Sequence, residues 1–243
     1  MTYQSDSESS RPPVERTIAD ILVYTRPDME NTTGIYEDRN QAGRDIVRLL
    51  KHFRIQPDLV MGVVAGGIPT AEPIARALAI RLAPAVVSKI TLPRNTEAGY
   101  GAVAFDGSLA LNDEMVRRLN LPEETISEGI IETRRKVRRR SREMGLADPD
   151  PLVSGRSILL VDDGLASGYT LRVAISAVAT HGPREIFVAV PTAHLESITN
   201  LQADLIDGLI CPNIRMGPNF AVAAAYRQWS DVTEDQARQI LQS

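Results

Sequence analysis

The chain has 243 residues, 43% of them apolar and 24% charged, a globular balance that excludes a largely disordered, collagen-like or mucin-like polypeptide. Its net charge, 27 − 31 = −4, argues against a protein whose main business is coating nucleic acid. Cys211 is the single cysteine, so neither an intrachain disulfide nor a multi-cysteine zinc site can form, and no apolar run approaches the roughly 18 residues of a membrane span. The polar, acidic stretch Met1–Ser10 is unlike a signal peptide, and a soluble cytoplasmic protein is expected.

Residues 1–16, Ser-rich and ending just beyond Arg11-Pro12-Pro13, read as a disordered tail, and residues 17–243 as one domain. Residues 17–36 stay open between a short helix and a strand. From Asp38, which can act as an N-cap, Ala42, Ile46, Leu49, Leu50 and Phe53 fall on one helical face. Leu59–Val64 is a continuous apolar run of the kind buried in a parallel sheet. Ala65-Gly66-Gly67 leads into a helix with Pro69 near its start and Ala71, Ile74, Ala75 and Leu78 turned inward. Residues 82–87 read as the next strand. Residues 88–102 show no period and read as a long, mobile lid loop.

A helical insertion is predicted over residues 112–145, with Ile126, Ile130, Val137 and Met144 as a narrow apolar seam. Ser157–Val161 is a buried strand, Thr170–Thr180 a helix and Ile186–Val190 a strand. A helix near 194–202 and a strand near 205–210 follow. Residues 211–230 are irregular and carry Phe220, Tyr226 and Trp229. Thr233–Leu241 closes as a helix capped by Thr233, with Gln236 three residues on. Strand and helix alternate through most of the chain, which predicts an α/β fold: a parallel β-sheet flanked by helices, with ligands beyond the carboxyl ends of its strands. Attention therefore falls on the loops after Val64 and Val161.

The most informative string is Val161-Asp162-Asp163-Gly164-Leu165-Ala166-Ser167-Gly168-Tyr169-Thr170. A buried strand ends in two carboxylates, and a small-residue loop runs straight into a helix. Small residues let the backbone approach an anion, the helix N-terminus favours negative charge, and Ser167 and Thr170 add hydroxyls. Two carboxylates beside such a cradle would repel phosphate. They make sense as acceptors for sugar hydroxyls or facing a divalent cation.

This string resembles the ribose-phosphate motif of the phosphoribosyltransferase family of the common α/β type, in a less characterised prokaryotic branch. The resemblance covers residues 36–241 and implies a phosphoribosyltransferase-like fold with the 112–145 insertion and a C-terminal hood segment. It implies that Asp162 and Asp163 hold the ribose of phosphoribosyl diphosphate, and that Ala166, Ser167, Gly168, Tyr169 and Thr170 wrap its 5′-phosphate. Gly164 stands where family members more often carry an aliphatic residue. Ala65, Gly66 and Gly67 look like the diphosphate loop, with Ala65 where relatives often have Arg. Lys89 resembles the basic residue before the family's lid, and with Arg94 would neutralise the diphosphate.

Asp162, Asp163 and Lys89 are then the catalytic candidates. Mg²⁺ is the implied cofactor, met by Asp162 and Asp163 indirectly, through ribose or water. The implied reaction is phosphoribosyl transfer to a nitrogen acceptor, a nucleobase for preference. Ala166 stands where 6-oxopurine enzymes carry Asp, which weighs against a hypoxanthine–guanine enzyme. Phe220 and Tyr226 are base-stacking candidates, with core packing as the alternative. A regulator that binds phosphoribosyl diphosphate without catalysis is the competing reading. Partners are that donor and a small acceptor in a homodimer, with no membrane and no nucleic acid. The basic run Arg134–Arg142 spreads around its helix and reads as a solvated or intersubunit surface.

Overall fold

The computed structural model describes residues 11–92, 95–146 and 148–243. In chain order its elements are β1 (Val14–Ile18), β2 (Ile21–Thr25), α1 (Arg39–Phe53), β3 (Leu59–Val63), α2 (Gly67–Leu78), β4 (Leu82–Ala85), β5 (Val87–Leu92), β6 (Asn95–Ala104) and β7 (Leu109–Leu111). They continue with α3 (Asp113–Arg118), α4 (Glu123–Glu143), α5 (Asp150–Val153), β8 (Ser157–Val161), α6 (Tyr169–Thr180), β9 (Glu185–Ala189), β10 (Thr192–His194), α7 (Leu195–Ile198), β11 (Gly208–Ile210), β12 (Asn213–Arg215) and α8 (Glu234–Gln242). The main sheet runs β1-β2-β11-β9-β8-β3-β4, parallel throughout except for the β1–β2 hairpin at one edge.

Strand parity divides the core between the two faces. Leu59, Met61, Ile158 and Leu160 face α6, meeting Leu171, Ala174, Ile175 and Val178. Val60, Leu159 and Val161 face the other way, onto Ile46, Leu50, Ile74 and Ala75 of α1 and α2. Both faces are apolar, so the central strands read as unbroken hydrophobic runs. Asp38 caps α1, accepting from Gln41 N at 2.7 Å, and Thr233 with Gln236 forms the complete capping box of α8.

Three expectations are corrected. The tail does not extend to residue 16: β1 starts at Val14 and pairs antiparallel with β2 through a two-residue turn, Ala19-Asp20, both at positive φ. Its half-buried Val14, Arg16 and Ile18 alternate with exposed Glu15 and Thr17, which also settles the ambiguous start of the domain as strand. The expected tail residues 1–10 lie outside the described residues.

The described residues of 89–102 are not an aperiodic loop: 89–92 and 95–102 belong to an antiparallel ribbon, β5-β6-β7, whose Ile90, Tyr100 and Ala102 are fully buried. Register shifts around Thr91 break the two-residue alternation that would have betrayed the strands. Arg94 falls outside the described residues.

The insertion is helical as expected, but Arg140 in its basic run is buried rather than solvated. It donates to Val87 O at 3.0 Å and Ser88 Oγ at 2.7 Å, and its Nε lies 2.6 Å from Glu234 Oε1, off the hydrogen-bond axis. Arg134, Arg135, Lys136, Arg138, Arg139 and Arg142 are exposed. Among the described residues no helix is long and apolar enough to cross a membrane.

Candidate functional site

β3 and β8 are neighbours, with Gly62 opposite Val161, so the loops that leave them emerge side by side. The sheet therefore brings Ala65-Gly66-Gly67 against Asp162-Asp163. Contact is close enough to demand glycine: a Cβ on Gly66 would lie 2.4 Å from Asp163 Oδ2, and one on Gly67 would lie 2.5 Å from Val161 O. The Val64–Ala65 peptide is cis.

Asp162 Oδ1 accepts from the backbone N–H of Asp163 at 2.9 Å. Both carboxyls titrate above the ordinary range. Asp162 is pushed well up by burial and then by the charge of Asp163. Asp163 is raised by burial, against the pull of Arg39, whose Nε donates to Oδ2 at 2.9 Å. Arg39 is itself buried. Its Nη1 donates to Ser230 O at 2.9 Å, and its guanidinium carbon sits 3.8 Å from the Trp229 ring centroid.

The loop beyond the pair is anchored and open at once. Leu165 is buried, donates to Thr192 O at 2.9 Å and accepts from His194 N at 3.0 Å. Ser197 Oγ donates to Ala166 O. Ala166 and Ser167 themselves are exposed. Gly168 takes φ +73°, conformational ground that suits glycine, and α6 starts with no side-chain cap. An exposed small-residue turn thus precedes a helix with no side-chain cap, a place where backbone N–H groups and the helix dipole favour an anion. Tyr169 and Thr170 follow at its rim, half-buried.

Among the described residues no group of three or more His, Cys, Asp or Glu side chains is gathered to hold a metal ion. Two adjacent, mutually repelling carboxylates still fit Mg²⁺, which is commonly held by one or two carboxylates with substrate phosphates and water completing the shell.

The remaining candidates are Lys89, Tyr226 and Phe220. Lys89 is exposed on β5 at the rim of a groove shared with Glu132, Arg135, Lys136 and Arg139 of α4. Tyr226 is closed to stacking. It is buried, its ring meets Tyr36 at 5.7 Å and Trp229 at 5.2 Å, and its hydroxyl donates to Asp163 O at 2.6 Å. Phe220 stays half-exposed, 5.4 Å from the His194 ring and 5.0 Å from the Arg215 guanidinium.

Arg39 and Ser230 were not singled out by the sequence, and Trp229 only as one of the aromatics of residues 211–230. The available signal was Arg39 at the first position of a helix, where a cation opposes the helix dipole.

The phosphoribosyl transferase domain profile matches residues 105–221, which include the acidic pair and the small-residue loop. The chain carries a phosphoribosyl transferase domain. Two Mycobacterium tuberculosis sequences, from strains CDC 1551 and H37Rv and each provisionally named a phosphoribosyl transferase, are 30% identical over 209 residues. These alignments take in 83% of the present chain and 45% of each relative, so the chain spans about half the length of those relatives. The crystal structure of TT1426 from Thermus thermophilus superposes with a TM-score of 0.67 at 29% identity, over 85% of this chain and 97% of that one. That superposition shows a shared α/β fold, with the mostly parallel sheet flanked by helices.

Proposed function

We propose that the chain transfers a phosphoribosyl group from phosphoribosyl diphosphate to a nitrogen acceptor, a nucleobase for preference. The observation that carries this reading is the convergence, at adjacent strand ends, of Asp162 and Asp163, the Gly66-Gly67 turn and the uncapped loop Ala166–Thr170. Asp162 and Asp163 accept the ribose hydroxyls. Exposed backbone around Ala166 and Ser167, with the hydroxyls of Ser167 and Thr170, receives the 5′-phosphate. Ala65, Gly66 and Gly67 receive the diphosphate.

Displacement at the anomeric carbon passes through an oxocarbenium-like transition state, so the protein's work is to fix the ribose, receive the departing charge and exclude water. Mg²⁺, met by Asp162 and Asp163 through ribose or water, would supply charge neutralisation for the leaving diphosphate. Lys89 can add positive charge to that diphosphate only from the neighbouring ribbon. Phe220 is the remaining platform for a planar acceptor, and Ala166 offers no acid for a 6-oxopurine.

Calorimetric titration with phosphoribosyl diphosphate and Mg²⁺, followed by a product screen over nucleobases, tests the reading. Asp163→Asn should lower affinity about tenfold or more, because a charge-assisted hydrogen bond is worth roughly 1.5–3 kcal/mol. Binding without any product would favour a regulator, and absence of binding would overturn both.

A further inference from the structure

Two of the residues that grip Asp163, Arg39 and Tyr226, come from outside the segment that carries the family match. Residues 105–221 supply the acidic pair, but Arg39 precedes that segment, and Tyr226, Trp229 and Ser230 follow it. We propose that Arg39 is a positioning residue for Asp163, and that the strap at residues 226–230 completes the phosphoribosyl diphosphate site by holding Arg39 in place.

The geometry supports the link at each step. A guanidinium is a rigid planar fork, so two directed hydrogen bonds and one stacking contact fix its orientation. Arg39 has all three: Nε on Asp163 Oδ2 at 2.9 Å, Nη1 on Ser230 O at 2.9 Å, and the Trp229 ring at 3.8 Å. The ion pair is largely shielded, with side chains 9% and 17% exposed, so solvent screens it little. On the other side Tyr226 holds the main chain of the same aspartate at 2.6 Å. Asp163 is thus held at its backbone by the strap and at one carboxylate oxygen by Arg39, which the strap anchors in turn.

Arg39 also opens α1, where its charge opposes the helix dipole, so local helix energetics do not account for it. The same residue lines a cavity of about 780 Å³ together with Trp229 and Gln239, so Arg39 touches both the acidic pair and that cavity. A carboxylate left to rotate would present the ribose with an average of orientations, and productive binding would weaken even though no ligand contact had been removed.

This inference rests on the phosphoribosyl diphosphate reading, and the experiment separates the two. The full chain, Arg39→Met, Asp163→Asn, the double variant and Trp229→Ala are titrated calorimetrically with phosphoribosyl diphosphate and Mg²⁺, with melting temperatures recorded alongside. Arg39→Met should bind at least tenfold more weakly than the unaltered chain. If Arg39 acts through Asp163, the double variant should bind no more weakly than Asp163→Asn alone. Arg39→Lys should fail to restore affinity, because a single ammonium cannot serve Asp163 and Ser230 while stacked on Trp229.

Trp229→Ala removes the stacking contact on Arg39 and the ring contact to Tyr226 but leaves both hydrogen bonds of Arg39, and the residue is 37% exposed, so it keeps the test alive should Arg39→Met not fold. It should weaken binding in the same direction by a smaller factor. Unchanged affinity in Arg39→Met, or in Trp229→Ala where Arg39→Met does not fold, would overturn the link. So would losses in the double variant that multiply. No binding by the unaltered chain would overturn the functional reading and the link with it.

Discussion

The hydroxyl of Tyr226 donates to the main-chain carbonyl of Asp163 at 2.6 Å, tying the C-terminal strap to the strand end that carries the acidic pair. Tyr226→Phe keeps the ring and deletes this bond. Stability should fall by about 1–2 kcal/mol, since a part-buried carbonyl loses its partner, and the melting temperature by a few degrees for a chain of this size. Urea denaturation measures it. A variant as stable as the parent would show the bond to be dispensable.

Gly66 and Gly67 should respond differently to alanine. The Gly67 methyl would collide with backbone, Val161 O, which cannot move without disturbing the sheet, so Gly67→Ala should destabilise the fold by about 1–3 kcal/mol or more. The Gly66 methyl would press on the Asp163 carboxylate, a movable side chain. Gly66→Ala should therefore cost ligand affinity more than stability. Equal melting temperatures for the two variants would contradict this division.

Asp162 links stability to pH. Burial and the neighbouring Asp163 raise its folded pKa well above the ordinary value of 3.8, so the folded state holds a proton that the unfolded chain has released. Stability contributed by that proton is complete below pH ~3.8 and is lost as pH rises through the folded value. Asp162→Asn keeps an oxygen for the Asp163 N–H and removes the charge. Its melting temperature should exceed the parent's at neutral pH and fall less as pH rises from about 4. A parallel pair of pH–melting curves would refute the assignment.

Arg140 should stand apart from its basic neighbours. Arg140→Met strips hydrogen bonds from Val87 O and Ser88 Oγ and leaves Glu234 without its partner. A loss of about 2–3 kcal/mol is expected, below the full cost of breaking a buried pair because Glu234 is 45% exposed on its side chain. Arg135→Gln and Arg138→Gln should lie within about 0.5 kcal/mol of the parent. Thermal melts of the three variants test the contrast.

The central sheet was legible because its strands are buried on both faces. Leu59–Val63 and Ser157–Val161 show unbroken apolar runs, and each feeds a small-residue turn and an amphipathic helix. The acidic pair and its loop were legible for the same reason: the chemistry is local to one stretch of chain. The β5–β6 ribbon was not, since its pairing is irregular around Thr91 and its inward residues include Ser88, Ala102 and glycines. Arg39 was hidden by distance. It meets Asp163 across 124 positions, and an ion pair of that separation leaves no spacing pattern to read. Tyr226 carried the right residue type for stacking, and only the packing around Tyr36 and Trp229 shows both its ring and its hydroxyl in use.

The order of the sheet bears on how this protein can be cut. The stretch 105–221 contains β8, β9 and β11, but β3 on one side and β2 on the other lie outside it. A fragment trimmed to those limits would expose two unpaired strand edges. It would also lose α1 and α2, stripping the cover from Leu159, Val161, Ala189 and Ile210. Raw edges and a bare apolar face are the ingredients of edge-to-edge aggregation. Subcloning by the family boundary should yield inclusion bodies, whereas a piece starting ahead of Val14 and running through α8 keeps every described strand beside its neighbour.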